Sequence, residues 1–394
     1  MKSNYKALGQ YIQPVVGRNN DLGDLPLMGL SIQKKFIPSI ANTIGTDMST
    51  YRIIEKNQFA YGPVTSRNGD KITIALFNDY EKALISQAYI PFEVKDNNEL
   101  DAEYLMMWFR RPEFDRYARF KSHGSAREIF DWEEMCNTLL PIPTITKQRE
   151  IVKEYNVIQN RIALNQQLIQ KLEETAQAIY KQWFVEFEFP DANGKPYKSG
   201  GGEMVFNEEL EKEIPKGWES TELKNVIENF DSKRKPITGS DRVGVQKTYP
   251  YYGAAALMDY IDDYIFDGNY ILLGEDGSVI TENGTPVLQY VWGKFWVNNH
   301  AHVLKGKNDF NENSLYILLK NTNITDIITG GVQLKINQSN LNSIKTLKPT
   351  SEFMKNYNEV LNPIFETFKL KNEENKVVEK MRNILLSKMA TIEN

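Results

Sequence analysis

The sequence predicts an α+β chain built twice over. Two similar α/β domains are separated by two long helices packed as an antiparallel coiled coil, the halves forming a pseudo-two-fold internal repeat. Three observations predict this. The first is self-similarity: residues 55–62 match 267–274, Ile85-Ser86-Gln87 matches Val297-Asn298-Asn299, Gly124 and Phe130 match Gly330 and Ile336, and residues 155–162 match 357–364. These matches stay collinear at an offset of roughly 200 residues, the mark of a duplicated domain and not of a solenoid. The second is a pair of long heptad-like segments, one in each half. The third is a mixture of β-branched or aromatic runs and short amphipathic helices ahead of each long segment.

In chain order, residues 1–145 form the first domain, with a strand expected at 72–77 and a helix at 102–109. Residues 146–189 form the first long helix. Its seam runs Ile151, Tyr155, Ile158, Ile162, Asn165, Ile169, Leu172, Ala176, Ile179, Trp183, spaced alternately by four and three. That 3.5-residue repeat is the seam of a coiled coil, and its one polar member, Asn165, is of the kind that fixes register at some loss of stability. At 1.5 Å per residue the helix spans roughly 60 Å. Residues 190–218, with Pro190, Gly194, Pro196, Gly200-Gly201-Gly202 and Pro215, read as a connector. Residues 219–350 form the second domain, with strands at 270–273, 287–292 and 300–304 and a helix at 312–319. Residues 351–394 form the second long helix, with a seam of Phe353, Tyr357, Val360 and Ile364 that resumes at Val378, Met381 and Leu385. Thr367, Lys371 and Glu374 occupy the seam between, so the middle is polar or differently partnered. Two long helices of matched length in a duplicated chain pack most simply on each other, and a two-fold relation makes them antiparallel.

Composition bounds the function. The 394 residues carry 47 Lys and Arg against 52 Asp and Glu, a formal net charge of −5, with 41% apolar and 25% charged residues. This is a globular composition, not a disordered one. The single cysteine, Cys136, excludes an intrachain disulfide and a cysteine-based zinc cluster, and suits a cytoplasmic location. No apolar run reaches membrane-spanning length, so no membrane association is expected. The acidic balance argues on its face against nucleic acid. Five carboxylates fall between Glu203 and Glu213, however, so the surplus is local, and basic residues lining one concave face suffice to meet a phosphate backbone.

One stretch carries a family resemblance. Ile179-Tyr-Lys-Gln-Trp-Phe-Val-Glu-Phe-Glu-Phe-Pro190 is followed by Gly194-Lys-Pro-Tyr197, Gly201-Gly-Glu-Met204 and Ile214-Pro-Lys-Gly-Trp-Glu219. Pro250-Tyr-Tyr-Gly253, Asn298-Asn-His-Ala-His302 and Gly330-Gly-Val-Gln333 come later. With the duplicated plan, the chain resembles the specificity (S) subunit of Type I restriction–modification systems over essentially its whole length. The first half departs from the pattern at Pro26-Leu-Met-Gly29 and at Ser86-Gln-Ala88, where the second half has Asn-Asn-His. The resemblance implies a non-catalytic reader of double-stranded DNA. Each of two target-recognition domains would read one half of a split, asymmetric target, while the helices set the spacer and dock two modification (methyltransferase) subunits. Restriction (translocase and endonuclease) subunits would join them. The resemblance implies no cofactor on this chain; S-adenosylmethionine, ATP and Mg²⁺ belong on the partner subunits.

Candidate DNA contacts cluster in turn-prone segments of both halves. The first half offers Lys34, Lys35, Arg67, Asn68, Lys71, Lys121, Ser125 and Arg127. The second offers Lys233, Arg234, Lys235, Arg242, Lys247, Tyr251, Tyr252, Asn298, Asn299, His300, Gln333 and Lys335. Arg suits guanine, Asn and Gln suit adenine, Lys and Ser suit phosphate, and Tyr packs on bases or sugars. The alternative for any one of them is a solvated loop charge. Trp183, Phe184 and Phe187 form an apolar helix end, read either as core or as a docking patch for a partner subunit.

Enzymatic readings are weaker. Neither nucleotide-binding glycine fingerprint occurs, nor the Asn/Asp-Pro-Pro-Tyr tetrapeptide of amino-methylating DNA methyltransferases. Asp79 with Glu93-Val94-Lys95 has the spacing of a Mg²⁺-dependent nuclease site, but the matched second-half residues are Lys305-Gly306-Lys307. His300 and His302 share one face of a strand and could ligate a metal, but no Cys or third His completes a set, and no metal is expected. A purely structural coiled-coil scaffold is the third reading.

Overall fold

A computed structural model describes residues 5–66, 68–124, 127–331 and 333–392. The chain divides into two units: residues up to 165 together with those from 374 onward, and residues 166–373. Each long helix therefore contributes one part of its length to each unit.

The first unit holds two four-stranded sheets. One has the order Ile12–Pro14, Ile90–Val94, Phe59–Tyr61, Ile74–Leu76, and the other Phe36–Pro38, Leu27–Leu30, Lys82–Ile85, Arg52–Glu55. Pairing is antiparallel except between Leu27-Met28 and Leu84-Ile85. Tyr5–Ala7 pairs with Leu139–Pro141 and closes the domain.

The second unit repeats this plan strand for strand. Its sheets are Ile227–Asn229, Ala301–Gly306, Tyr270–Gly274, Leu288–Val291 and Leu257–Ile261, Tyr249–Tyr252, Lys294–Val297, Phe266–Asp267. Again one pairing in the second sheet is parallel, between Tyr251-Tyr252 and Trp296-Val297. Glu219–Glu222 and Lys345–Lys348 close it. The internal repeat read from sequence is thus a repeat of topology.

Side-chain period explains why the central strands read as continuous apolar runs. Tyr270–Gly274 is buried throughout, but Ile271 and Leu273 enter one core while Tyr270 and Leu272 enter another. The same split places Phe59 and Tyr61 in one core of the first unit and Ala60 in the other. A strand covered on both faces has no polar side to show.

The short helices start where the sequence supplies caps. The Asp101 carboxylate accepts from the backbone N–H of Glu103 and Tyr104 ahead of Ala102–Phe109, and Asn311 does the same for Asn313 and Ser314 ahead of Glu312–Lys320. Asp131 and Asn337 cap Trp132–Asn137 and Gln338–Asn342 in the same way. The first unit also has a helix at Pro112–Phe120 where the second has only a single turn at Thr325–Ile327.

The first long helix spans Ile145–Tyr180 and ends in a wide π turn at Lys181–Val185, short of the expected limit. All ten of its seam residues are buried or half-buried. The second spans Ser351–Lys388 and passes through Pro363. Its expected seam needs correction: Val360 is 38% and Met381 53% exposed, while Leu361, Phe365, Leu386 and Met389 are buried. A 3.5-residue seam serves one partner, but this helix also covers its domains. Phe365 packs against Tyr290 and Tyr316 in the second unit, and Leu386 and Met389 enter the core of the first. Within each unit the helix segments run antiparallel: Gln159 lies against Arg382 and Arg161 against Glu374, while Trp183 lies against Phe353 and Tyr357. The connector is not plain linker, since Met204–Asn207 and Lys212–Pro215 form a hairpin. No helix among the described residues is long and apolar enough to cross a membrane.

Candidate nucleic-acid interface

In each unit two of the candidate loops meet in a small ladder: those at 62–71 and 121–130 in the first, those at 274–277 and 329–336 in the second. In the first, Ile129 bridges both Val64 and His123, with the His123 and Ile129 backbones exchanging hydrogen bonds of 3.0 and 2.8 Å. In the second, Lys335 bridges Asp276 and Thr329, exchanging bonds of 2.9 and 2.7 Å with Thr329. Between the paired residues stand Gly124 at φ +128° and Gly330 at φ +92°. A Cβ on either would lie 2.2 Å from the Arg127 carbonyl oxygen or 2.1 Å from that of Gln333, so both turns require glycine. Gly124 and Gly330 are the same position in the repeat.

Around the first ladder, Asn68 is half-buried and donates to the Val64 carbonyl at 3.1 Å, while Lys35, Lys71 and Arg127 are exposed. Lys121 lies 3.3 Å from Glu134. Arg67 and Ser125 lie outside the described residues. Lys34 corrects the sequence reading: it is 5% exposed, its ammonium lies 2.8 Å from Asp115 and also donates to the Phe109 carbonyl. Burial pushes its pKa down against the pull of Asp115. It ties the Leu27–Pro38 hairpin to the helix at 112–120 and is not available to DNA.

Around the second ladder the chemistry is denser. His302 is buried, with Nδ1 2.5 Å from Asp231 and Nε2 2.8 Å from the Ile336 carbonyl. Both partners are acceptors, so the ring donates twice and is an imidazolium. Burial works against that charge, but the hydrogen bond and charge of Asp231 outweigh it and raise the His302 pKa. Burial likewise opposes the Asp231 carboxylate, and the bonds from His302 and Val303 prevail, lowering its pKa. Arg234 donates to Glu275 at 2.6 Å and to the Ala301 carbonyl at 2.7 Å, and Lys335 lies 3.4 Å from Glu275. Asp231, Glu275 and His302 could together hold a metal ion, but the imidazole has no free lone pair and a guanidinium already balances the carboxylates.

Several second-half expectations are therefore corrected. Arg234 is an interior ion-pair partner, with 13% of its side chain exposed. Tyr251 is buried and bonded to the Ile237 backbone N–H. Asn298 is buried and accepts from the His300 N–H, shaping the turn. Tyr252 is half-buried against Phe295. Arg242 lies over the Tyr251 ring and, with Lys247, pairs with Asp259. Lys233, Lys235, Asn299 and Gln333 remain exposed, as does His300, whose Nδ1 meets Asp276 at 2.6 Å. Sequence reading missed the roles of Asp231, Glu275 and Asp276; the Glu275-Asp276-Gly277 turn was the only local signal.

Trp183, Phe184 and Phe187 are all buried, packed with Trp218, Phe353 and Tyr357. The docking-patch expectation fails on burial, and the core alternative stands. Two of the nuclease-like trio are engaged in local structure, while Asp79 is exposed. Glu93 accepts from Gln13 and Gln58, and Lys95 donates to the carbonyls of Gly9 and Gln10.

The fold defines a class first: a chain of two like α+β domains, each closed onto its own share of two long helices, with matching loop clusters. The chain belongs to the family of the Type I restriction modification DNA specificity domain, whose sequence model matches residues 8–174 and again 215–380. A Haemophilus influenzae protein named as a type I restriction enzyme specificity subunit is 38% identical over 123 residues, covering 31% of this chain and 30% of that one. The MjaIX type I restriction enzyme specificity subunit of Methanocaldococcus jannaschii is 24% identical over 308 residues, 73% of this chain and 68% of that one. In structure, the S subunit of the Type I restriction–modification system from M. genitalium aligns over 99% of this chain and 96% of its own, with a TM-score of 0.55 at 13% identity. That likeness is one of fold.

Proposed function

We propose that this chain is the DNA-reading subunit of a Type I restriction–modification complex. Each unit reads one half of a bipartite, asymmetric duplex target; the paired helices set the spacer and dock two modification subunits, which restriction subunits join. Chemistry, with its S-adenosylmethionine, ATP and Mg²⁺, resides on those partners, and the complex works in the cytoplasm. One observation carries the reading: the ladder turned on Gly124 recurs on Gly330, with polar and basic residues exposed around both. A chain that reads two half-sites needs two loop clusters in equivalent frames. Lys35, Asn68, Lys71, Lys121 and Arg127 form the first contact set. Lys233, Lys235, Lys247, Asn299, His300, Gln333 and Lys335 form the second. With only modest basic surface, the chain depends on its partners for much of its phosphate affinity.

The test is co-expression with the cognate modification subunit followed by methylome sequencing. Sequence-specific adenine methylation at a split motif is expected, with a spacer that changes when four residues are inserted into both helices. A continuous motif, or none, overturns the reading.

A further inference from the structure

The internal repeat permits a comparison between equivalent places. In the second unit the space behind the ladder is filled by the Asp231–His302–Glu275–Arg234 cluster. In the first unit Pro63 stands at the place of Glu275, Val64 at that of Asp276, Ala88 at that of His300 and Ile90 at that of His302. None of these carries charge. Beside Val64 and Ala88, where the second unit pairs Asp276 with His300, the first unit has an open cavity of about 320 Å³ walled by Leu30, Pro63, Val64, Thr73, Ala88 and Tyr89, with Asn68 and Arg127 on its rim, while Ile90, at the place of His302, packs into the apolar core. Its floor is fixed: a Cβ on Gly62 would meet the Thr73 hydroxyl at 2.5 Å and the Tyr89 ring at 3.6 Å. The Leu30 N–H donates to the Tyr89 hydroxyl at 3.4 Å, which holds the ring as a wall.

The major groove presents a single apolar group, the C5 methyl of thymine; every other feature there is a hydrogen-bond donor or acceptor. A pocket that is mainly apolar yet rimmed by an amide and a guanidinium matches a thymine edge beside a polar neighbour. We infer that the first unit reads a thymine methyl in this pocket, whereas the second unit, which sets the Asp276–His300 pair where the pocket has Val64 and Ala88, reads through exposed polar groups alone. This rests on the DNA-reading role proposed above. The specificity element of the first unit is then the cavity and its rim, and Lys34 serves only to brace it.

The experiment uses the reconstituted complex with modification subunits and the duplex target identified by methylome sequencing. If no split motif is found, the DNA-reading role itself fails, before the pocket is tested. Given a motif, Ala88→Trp fills the pocket from an exposed position and identifies the half-site of the first unit, because its recognition alone changes. His300→Ala, at the equivalent position, identifies the other. Binding is then measured to duplexes in which deoxyuridine replaces thymidine in one half-site at a time. Removing a methyl from an apolar site should weaken binding about four-fold, and only in the half-site of the first unit. The loss should vanish in the Ala88→Trp complex. Equal effects in both half-sites, no effect in the first, a first half-site lacking thymine, or an unchanged motif with Ala88→Trp each overturns the inference.

Discussion

Asn165 of the first long helix donates from Nδ2 to Oδ1 of Asn375 on the second, across 3.0 Å, with Asn165 only 3% exposed. Beside it Arg161 and Glu374 form an ion pair across the same two helices, half in solvent and so of small worth. The amide pair is the register device that an isolated polar seam position leads one to expect. Asn165→Ala should lower stability by about 1–3 kcal/mol, since it strands a partly buried amide. Replacing both asparagines with Leu should recover most of that loss. A urea-denaturation double-mutant cycle with a coupling near zero would show that the pair does not fix the helices.

The charged cluster of the second unit makes its own prediction. Arg234→Ala leaves Glu275 and Asp231 without their guanidinium and should cost about 3–5 kcal/mol. Lys at 234 should rescue it poorly, because its point charge cannot reach both Glu275 and the Ala301 carbonyl as the fork does. A variant that loses DNA binding at unchanged melting temperature would restore Arg234 to the reading surface.

The same cluster should make stability depend on pH in a defined direction. The His302 pKa is raised from 6.5, so its contribution is complete below about pH 6.5 and is lost as pH rises through the raised value. That of Asp231 is lowered from 3.8, so its contribution is present above about pH 3.8 and is lost as pH falls through the lowered value. Between these limits the pair is strongest, with Arg234, Glu275 and Lys335 as the other charges facing it. His302→Gln should flatten the decline above pH 6.5 in thermal melts. Parallel curves for the two proteins would contradict the assignment.

Phe184 is 2% exposed and lies within 5.6 Å, centroid to centroid, of Tyr180, Trp218, Phe353 and Tyr357. Phe184→Ala should therefore cost about 3–5 kcal/mol in the isolated chain. Were this residue a docking contact, the isolated chain would melt as before and only partner binding would weaken.

Gly330→Ala should act locally. The turn cannot accept a Cβ without moving the Gln333 carbonyl, so the second contact set shifts while both cores stay packed. Recognition of one half-site should degrade with little change in melting temperature, and Gly124→Ala should do the same to the other. Loss of both half-sites from either variant would contradict the assignment of one ladder to each.

What the sequence disclosed and what it withheld follow from range. Heptad spacing reported the first long helix because the seam is local; it misread the second at Val360 and Met381 because the extra partners of that helix lie in domains remote along the chain. The duplication was legible because Gly124 and Gly330 answer to the same steric need. The state of Arg234, His302 and Lys34 was not legible. Their partners stand 41, 71 and 75 residues away, so each reads in sequence as a loop or strand-edge charge. Ala88 and Pro63 gave no signal at all, since a cavity is defined by what its walls lack.

The second unit is one unbroken stretch, 166–373, bracketed by the two pieces of the first, whose Tyr5 hydroxyl donates to the Ala390 carbonyl. For inheritance this layout has a plain result. A pair of crossovers, one inside each long helix, would lift out a whole unit and install another from a relative. The core that joins Tyr5 to Ala390 would pass through such an exchange unbroken. On the function proposed above, new combinations of half-sites would then arise by shuffling, with no need for either unit to evolve through a non-functional intermediate.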